Sequence, residues 1–214
     1  MWIVLTLIFF GLAVAMNLVP GVGWLISTLF IPVFVAGLMS GCQAIEKGGE
    51  LELAHLFAGF RHRTGQLMLV GLIGFGLTIL AVIPLALFGW GFFSPLSDGL
   101  PEPMNATGLA LASLVSLALF VPINMALWFA SVLVMLHDYN APRAISLSFR
   151  ACLKNIRPFL VYVAIVFVLA VLASIPFGLG WLVLGPVVLC TVYTAYRDVF
   201  CADSRVDAGE RRGI

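Results

Sequence analysis

Charge is what this sequence has least of. Only 10% of its 214 residues are charged, against 62% hydrophobic, and the mean hydropathy is +1.13. Soluble domains carry about a quarter charged residues, so a water-soluble globular fold is excluded because it would leave too much apolar surface in water. Eleven basic residues against ten acidic ones leave a net charge of +1, and no nucleic-acid partner is expected. Cysteine is scarce too. Cys42, Cys152, Cys190 and Cys201 show no close spacing with histidine, so neither a metal nor another cofactor is expected.

The gaps between charges mark out membrane spans. Uncharged runs cover residues 1–45, 64–97, 103–136 and 158–196. A helix needs about 20 apolar residues to cross about 30 Å of hydrocarbon, so each run is long enough and the first and last are long enough twice. Both of these carry a turn signal near the middle, Asn17-Leu18-Val19-Pro20-Gly21-Val22-Gly23 and Ile175-Pro176-Phe177-Gly178-Leu179-Gly180. Proline removes a backbone donor and glycine relieves steric limits, which suits a tight reversal. The expected fold is an all-α integral membrane bundle of six helices, at 1–18, 22–43, 66–93, 107–136, 158–176 and 181–199. They form a single domain over 1–200, followed by a polar cytoplasmic tail, 201–214.

Orientation follows from the basic residues, which stay on the cytoplasmic side. With six helices, Lys47, Arg61, Arg63, Arg143, Arg150, Lys154, Arg157, Arg197, Arg205, Arg211 and Arg212 all fall on one side. The other side receives the two turns and residues 94–105, whose only charges are Asp98 and Glu102. The chain is therefore expected in a bacterial inner membrane with both termini cytoplasmic. The four cysteines lie toward the same side, where thiols stay reduced. Ala13-Val14-Ala15 resembles a signal-peptide cleavage site, but no Lys or Arg precedes the apolar stretch, so an uncleaved first helix is the expectation.

Two cytoplasmic segments carry apolar stripes at helical spacing: Leu53, Leu56, Phe57 and Phe60 in residues 50–61, and Ile145, Phe149, Cys152 and Ile156 in residues 142–156. Both read as amphipathic helices lying in the headgroup layer. Beside the second stripe stand Arg143, Arg150, Lys154 and Arg157, a basic face for anionic lipid headgroups or a partner, or else simple positive-inside anchoring.

The chain also echoes itself. Leu29-Phe30-Ile31-Pro32 matches Leu119-Phe120-Val121-Pro122, and Phe60-Arg61 matches Phe149-Arg150. Gly21-Val22-Gly23-Trp24-Leu25 matches Gly178-Leu179-Gly180-Trp181-Leu182, each followed by a proline, Pro32 or Pro186. These echoes suggest an internal repeat whose copies run parallel.

His55-Leu56-Phe57-Ala58-Gly59-Phe60-Arg61 and Leu147-Ser148-Phe149-Arg150-Ala151-Cys152-Leu153-Lys154-Asn155, followed by Pro158-Phe159-Leu160, carry a resemblance that covers nearly the whole chain. His137-Asp138 and Tyr196-Arg197-Asp198-Val199-Phe200 fit the same pattern. The sequence resembles an uncharacterised family of proteobacterial polytopic inner-membrane proteins. The resemblance implies a multi-spanning fold and no assigned substrate. Members carry an amphipathic segment before the first membrane helix; this chain begins on that helix, so its start is expected to be either truncated or short.

An enzyme would need convergent polar groups, and the candidates are His55, His62, His137 and Asp138. Glu46, Glu50 and Glu52 sit near Lys47 in what reads as a solvated turn, and no catalytic constellation is expected. No uncharged run holds a mid-membrane carboxylate for ion coupling. Asn124, two residues after Pro122, is the most polar deep residue and either lines a small polar site or bonds a neighbouring helix. Gly37 and Gly41, and Gly71, Gly74 and Gly76, read as close-contact positions within the chain or in self-association. Two functional classes remain: a non-enzymatic membrane partner, accessory subunit or assembly factor, and a passive small-molecule or lipid-handling transporter with a bundle cavity.

Overall fold

A computed structural model describes residues 1–18, 23–93, 106–175 and 178–201 of the chain. The expected outer segment 94–105, the middle of both turns and the tail after Cys201 lie outside these residues. The described part is all-α. Its helices are α1 (Trp2–Asn17), α2 (Gly23–Glu46), α3 (Leu53–Leu56), α4 (Ala58–Arg61), α5 (Thr64–Phe93), α6 (Ala106–Trp128), α7 (Ala130–His137), α8 (Ala141–Lys154), α9 (Ile156–Ser174) and α10 (Trp181–Phe200). Five stretches are long and apolar enough to cross a membrane: α2, the first 24 residues of α5, α6 with α7, α9 and α10. The 16 residues of α1 are apolar but shorter, rising about 24 Å at about 1.5 Å per residue.

The long helices pair as hairpins, α1 with α2, α5 with α6, and α9 with α10. The first and last close in the same way. Gly23 lies against the backbone of Met16 and Gly180 against that of Ala173, each seven residues back, and neither site has room for a Cβ. Asn17 Nδ2 donates to Ser27 Oγ at 2.9 Å, while Ser174, at the place equivalent to Asn17, accepts from Trp181 Nε1 at 3.2 Å. The echo between the two glycine turns thus corresponds to a shared hairpin geometry.

The returning helices α2, α6–α7 and α10 converge at the end that carries the basic residues. Their core includes Val33, Ala36, Met39, Val132, Leu133, Tyr193 and Tyr196, with Phe129 edge-on to Phe200 at 5.8 Å. Lipid tails are as apolar as these side chains, so close packing rather than water exclusion holds such helices together. The α2–α5 contact shows it: a Cβ on Gly71 would stand 2.6 Å from Thr28 O, so the two backbones touch. Gly37 likewise abuts the His55 and Leu56 carbonyls, so these small residues serve contacts within the chain. Gly76 has open space around it and takes no part. Toward the opposite end Leu80, Leu87, Leu111, Leu114 and Leu117 are exposed, as is most of α9, whose one buried residue is Ala173.

The expected helix over 107–136 is broken at Phe129. Ser148 Oγ donates to Met125 O at 2.8 Å and accepts from Phe129 N at 3.0 Å, placing a hydroxyl inside the i→i−4 ladder. A side chain inserted there kinks a helix. Cys152 Sγ adds a contact to Met125 O at 3.5 Å.

The helix expected over 50–61 is instead two single turns, α3 and α4, meeting at Phe57. This segment is drawn onto α2 at two backbone contacts, Gly37 with His55 and Leu56, and Gly59 with Val33. The Phe57 and Phe60 rings clasp Phe34 between them, at 6.1 and 5.2 Å. Gly59 precedes Phe60 as Ser148 precedes Phe149, and each seats its segment on a proline-bearing helix just beyond the proline, Pro32 or Pro122.

Candidate functional site

Polar side chains gather at the basic end, where they tie helix termini together in pairs. Glu46, the last residue of α2, is ion-paired with Arg197 of α10. Tyr193, one turn before Arg197, donates its hydroxyl to Glu46 Oε2 at 2.7 Å. His137, closing α7, is hydrogen-bonded through Nε2 to the Tyr196 hydroxyl at 2.5 Å and stacks on Tyr139 at 5.5 Å. Arg143 lies 4.6 Å over the Tyr139 ring, a cation–π contact that extends the chain of polar groups onto α8.

Asp138 ends α7 in the left-handed region and accepts from Arg63 Nε at 3.1 Å. His62 Nε2 stands at the same distance from the same carboxylate oxygen. Gln66 Oε1, in the first turn of α5, accepts the Ala141 N–H at 2.9 Å and so caps the start of α8. Capping of this kind satisfies one of the donors a helix N-terminus leaves open.

The turn expected around Glu46 is exposed over residues 46–50, and Glu46 itself is ion-paired across to α10. Its partners are 147 and 151 residues away in sequence, beyond the reach of local pattern, although Tyr193 and Arg197 at one-turn spacing near the end of an apolar helix were a usable signal. Of the histidines, His55 uses Nδ1 to accept the Glu52 N–H at 3.0 Å in a capping box. His55 and His62 line one open groove of about 430 Å³ with Ser40, Glu52 and Arg61, while His137 turns to α10. Among the described residues no three His, Cys, Asp or Glu side chains come together as a metal site would require.

On α8 the buried face is built from Ala141, Ala144, Ser148, Ala151 and Cys152, which lets it press against α6 and α7. Ile145 and Phe149 pack at the edge of that face, and Ile156 lies outside the helix. Of the expected stripe Cys152, Ile145 and Phe149 thus do pack, and the small residues Ala144, Ser148 and Ala151 bring the short helix close enough to reach Met125 O. Burial pushes the Cys152 thiol up to about 11.

Arg143, Arg150 and Lys154, seven and four residues apart, lie along the opposite, exposed face of α8. Arg157 is exposed but belongs to α9, because Asn155 closes α8 with its side chain donating to Ala151 O at 3.0 Å. Pro158 then sits in the first turn of α9, where its missing donor costs nothing. Arg150, Lys154 and Arg157 have no ion-pair partner among the described residues. Asn124 is half-buried and donates to Phe120 O one turn back at 2.8 Å, so its amide is engaged on its own helix.

The chain is similar to a probable inner membrane protein of Burkholderia thailandensis, 28% identical over an alignment of 229 positions that covers 90% of this chain and 83% of that protein. This similarity agrees with the resemblance to proteobacterial inner-membrane proteins carried by the two phenylalanine–arginine segments. No protein-family profile and no solved structure matches the chain.

Proposed function

We propose that the chain is a non-enzymatic, six-pass inner-membrane protein with both termini in the cytoplasm, serving as a partner, accessory subunit or assembly factor of another membrane protein. The observation that carries this reading is α9. Its outward face, with Leu160, Val161, Phe167, Val168, Val171 and Ile175, is bare along the whole helix and matches the surface a helix of another membrane protein covers. The orientation is supported by the gathering of Arg63, paired with Asp138, and Arg197, paired with Glu46, at one end of the bundle. At that end the exposed stripe of Arg143, Arg150 and Lys154 meets anionic headgroups, each basic residue near the surface adding about 1 kcal/mol.

The test is purification of the full chain from its own membrane in mild detergent, with a photo-crosslinking residue at Phe167 or Val171. The expected result is one stoichiometric membrane protein, crosslinked from these positions. A chain that purifies alone and forms no protein adduct from α9 would sink the accessory role. Cysteines introduced at Lys47 or Arg143 and labelled by a membrane-impermeant maleimide test the orientation; they should react only after the inner face is opened.

A further inference from the structure

The three outgoing helices do not sit alike. α1 lies between α10 and α2, and α5 lies between α2 and α6, whereas α9 rests on α10 and the end of α8 and stands off α6. The repeat supplies the reason. Gly71, whose neighbours are Thr28 and Leu29 of α2, follows Phe60 by 11 residues, and at the same distance from Phe149 the chain has Leu160. α9 contains no glycine, so it cannot approach α6 as closely as α5 approaches α2. What remains is a cleft of about 440 Å³ between α6, α8, α9 and α10, within the roughly 300–1,000 Å³ range of ligand pockets.

Trp128 of α6 forms one wall of this cleft, edge-on to Phe159 at 5.4 Å and to Tyr162 at 5.9 Å. At the basic end it is lined by Asn155 and Asp198. Asn155 donates one amide hydrogen to Ala151 O, which leaves its Oδ1 to accept and a second N–H to donate. Asp198 is exposed and offers a carboxylate. That end therefore presents two acceptors, one of them a carboxylate, above an aromatic, apolar slot.

We propose that this cleft seats one aminophospholipid, with an acyl chain against Trp128, Phe159 and Tyr162 and the headgroup ammonium at Asn155 and Asp198. A primary ammonium brings three N–H donors to the two acceptors. An anionic headgroup without an amine would meet the Asp198 carboxylate unfavourably. A transmembrane helix binds its own N–H groups internally and has none to give at this depth. This site is on the inward side of α9, opposite the face assigned to a protein partner. It rests on α9 crossing the membrane and not on the accessory role.

The full chain is reconstituted into phosphatidylglycerol vesicles doped with phosphatidylethanolamine or with phosphatidylcholine, each carrying dibrominated chains that quench tryptophan on contact. The Trp128 contribution is taken as the difference between the natural chain and Trp128→Phe. Phosphatidylethanolamine should quench it with about tenfold higher apparent affinity than phosphatidylcholine, the effect of one charge-assisted hydrogen bond. Asp198→Asn, an exposed change that leaves the fold intact, should erase that difference. Native mass spectra of the natural chain should likewise retain one phosphatidylethanolamine in preference to phosphatidylcholine. Equal quenching by the two lipids would reduce the cleft to ordinary annular lipid and overturn the proposal. Absence of Trp128 quenching, or a protein crosslink from Tyr162, would assign the cleft to a partner helix and overturn it as well.

Discussion

Arg63 and Asp138 are the two non-glycine residues with positive φ among the described residues, at 58° and 56°, and they are bonded to each other. Each turns a corner, Arg63 between α4 and α5 and Asp138 between α7 and α8. Left-handed backbone costs a non-glycine residue on the order of 1–3 kcal/mol, while an exposed ion pair returns about 0.2–1 kcal/mol. The backbone term wins, so Arg63→Gly should raise the thermal midpoint of the detergent-solubilised protein despite losing the pair. Asp138→Asn, which tolerates the same backbone, should lower stability by up to about 1 kcal/mol, less in high salt. A lower midpoint for Arg63→Gly would show that the pair outweighs the strain.

Ser148 is fully buried and bonds both sides of the break at Phe129. Ser148→Ala leaves the Phe129 N–H without its acceptor, at a cost of about 1–3 kcal/mol. Amide exchange measured at Phe129 should accelerate and the midpoint should fall. Unchanged exchange would mean that α6 and α7 rejoin as one helix.

Gly71 and Gly76 lie on the same helix with opposite surroundings. Gly71→Ala should destabilise strongly, because its Cβ would meet the Thr28 carbonyl at 2.6 Å and the Leu29 Cα at 3.0 Å. Gly76→Ala meets nothing within 4 Å and should gain about 0.5–1 kcal/mol from helix propensity alone. Thermal unfolding of the two variants side by side checks the assignment of the α2–α5 seam.

The Cys152 thiol should resist maleimide in the folded protein at neutral pH, since it is buried and its pKa is pushed up to about 11. The unfolded thiol ionises near 9 while the folded one keeps its proton to about 11. The native state therefore binds more protons in that window, and stability falls as pH rises across it. Cys152→Ala should show a shallower fall between pH 9 and 11 than the natural chain. Parallel pH profiles would mean that the thiol ionises freely in the folded protein.

Much of the architecture was legible because membrane insertion imposes simple length and charge rules. The uncharged runs located the long helices, and Gly23 and Gly180 marked hairpins that close alike. The break at Phe129 was not legible, because its cause, Ser148, lies 19 residues on and reaches back through space. On α8 periodicity found Ile145, Phe149 and Cys152, which pack, but not Ala144, Ser148 and Ala151, whose small side chains set the close approach. The pairing of Glu46 was not legible either, because its partners lie on the last helix.

The order of apolar and basic segments was enough to establish an all-α membrane bundle with one basic end, because hydrocarbon admits a chain only when each span satisfies its own backbone. How the helices lean on one another needed the folded chain. Close approach depends on whether a glycine on one helix meets a backbone or open space on the next. That meeting brings α5 against α2 and leaves the cleft between α6 and α9.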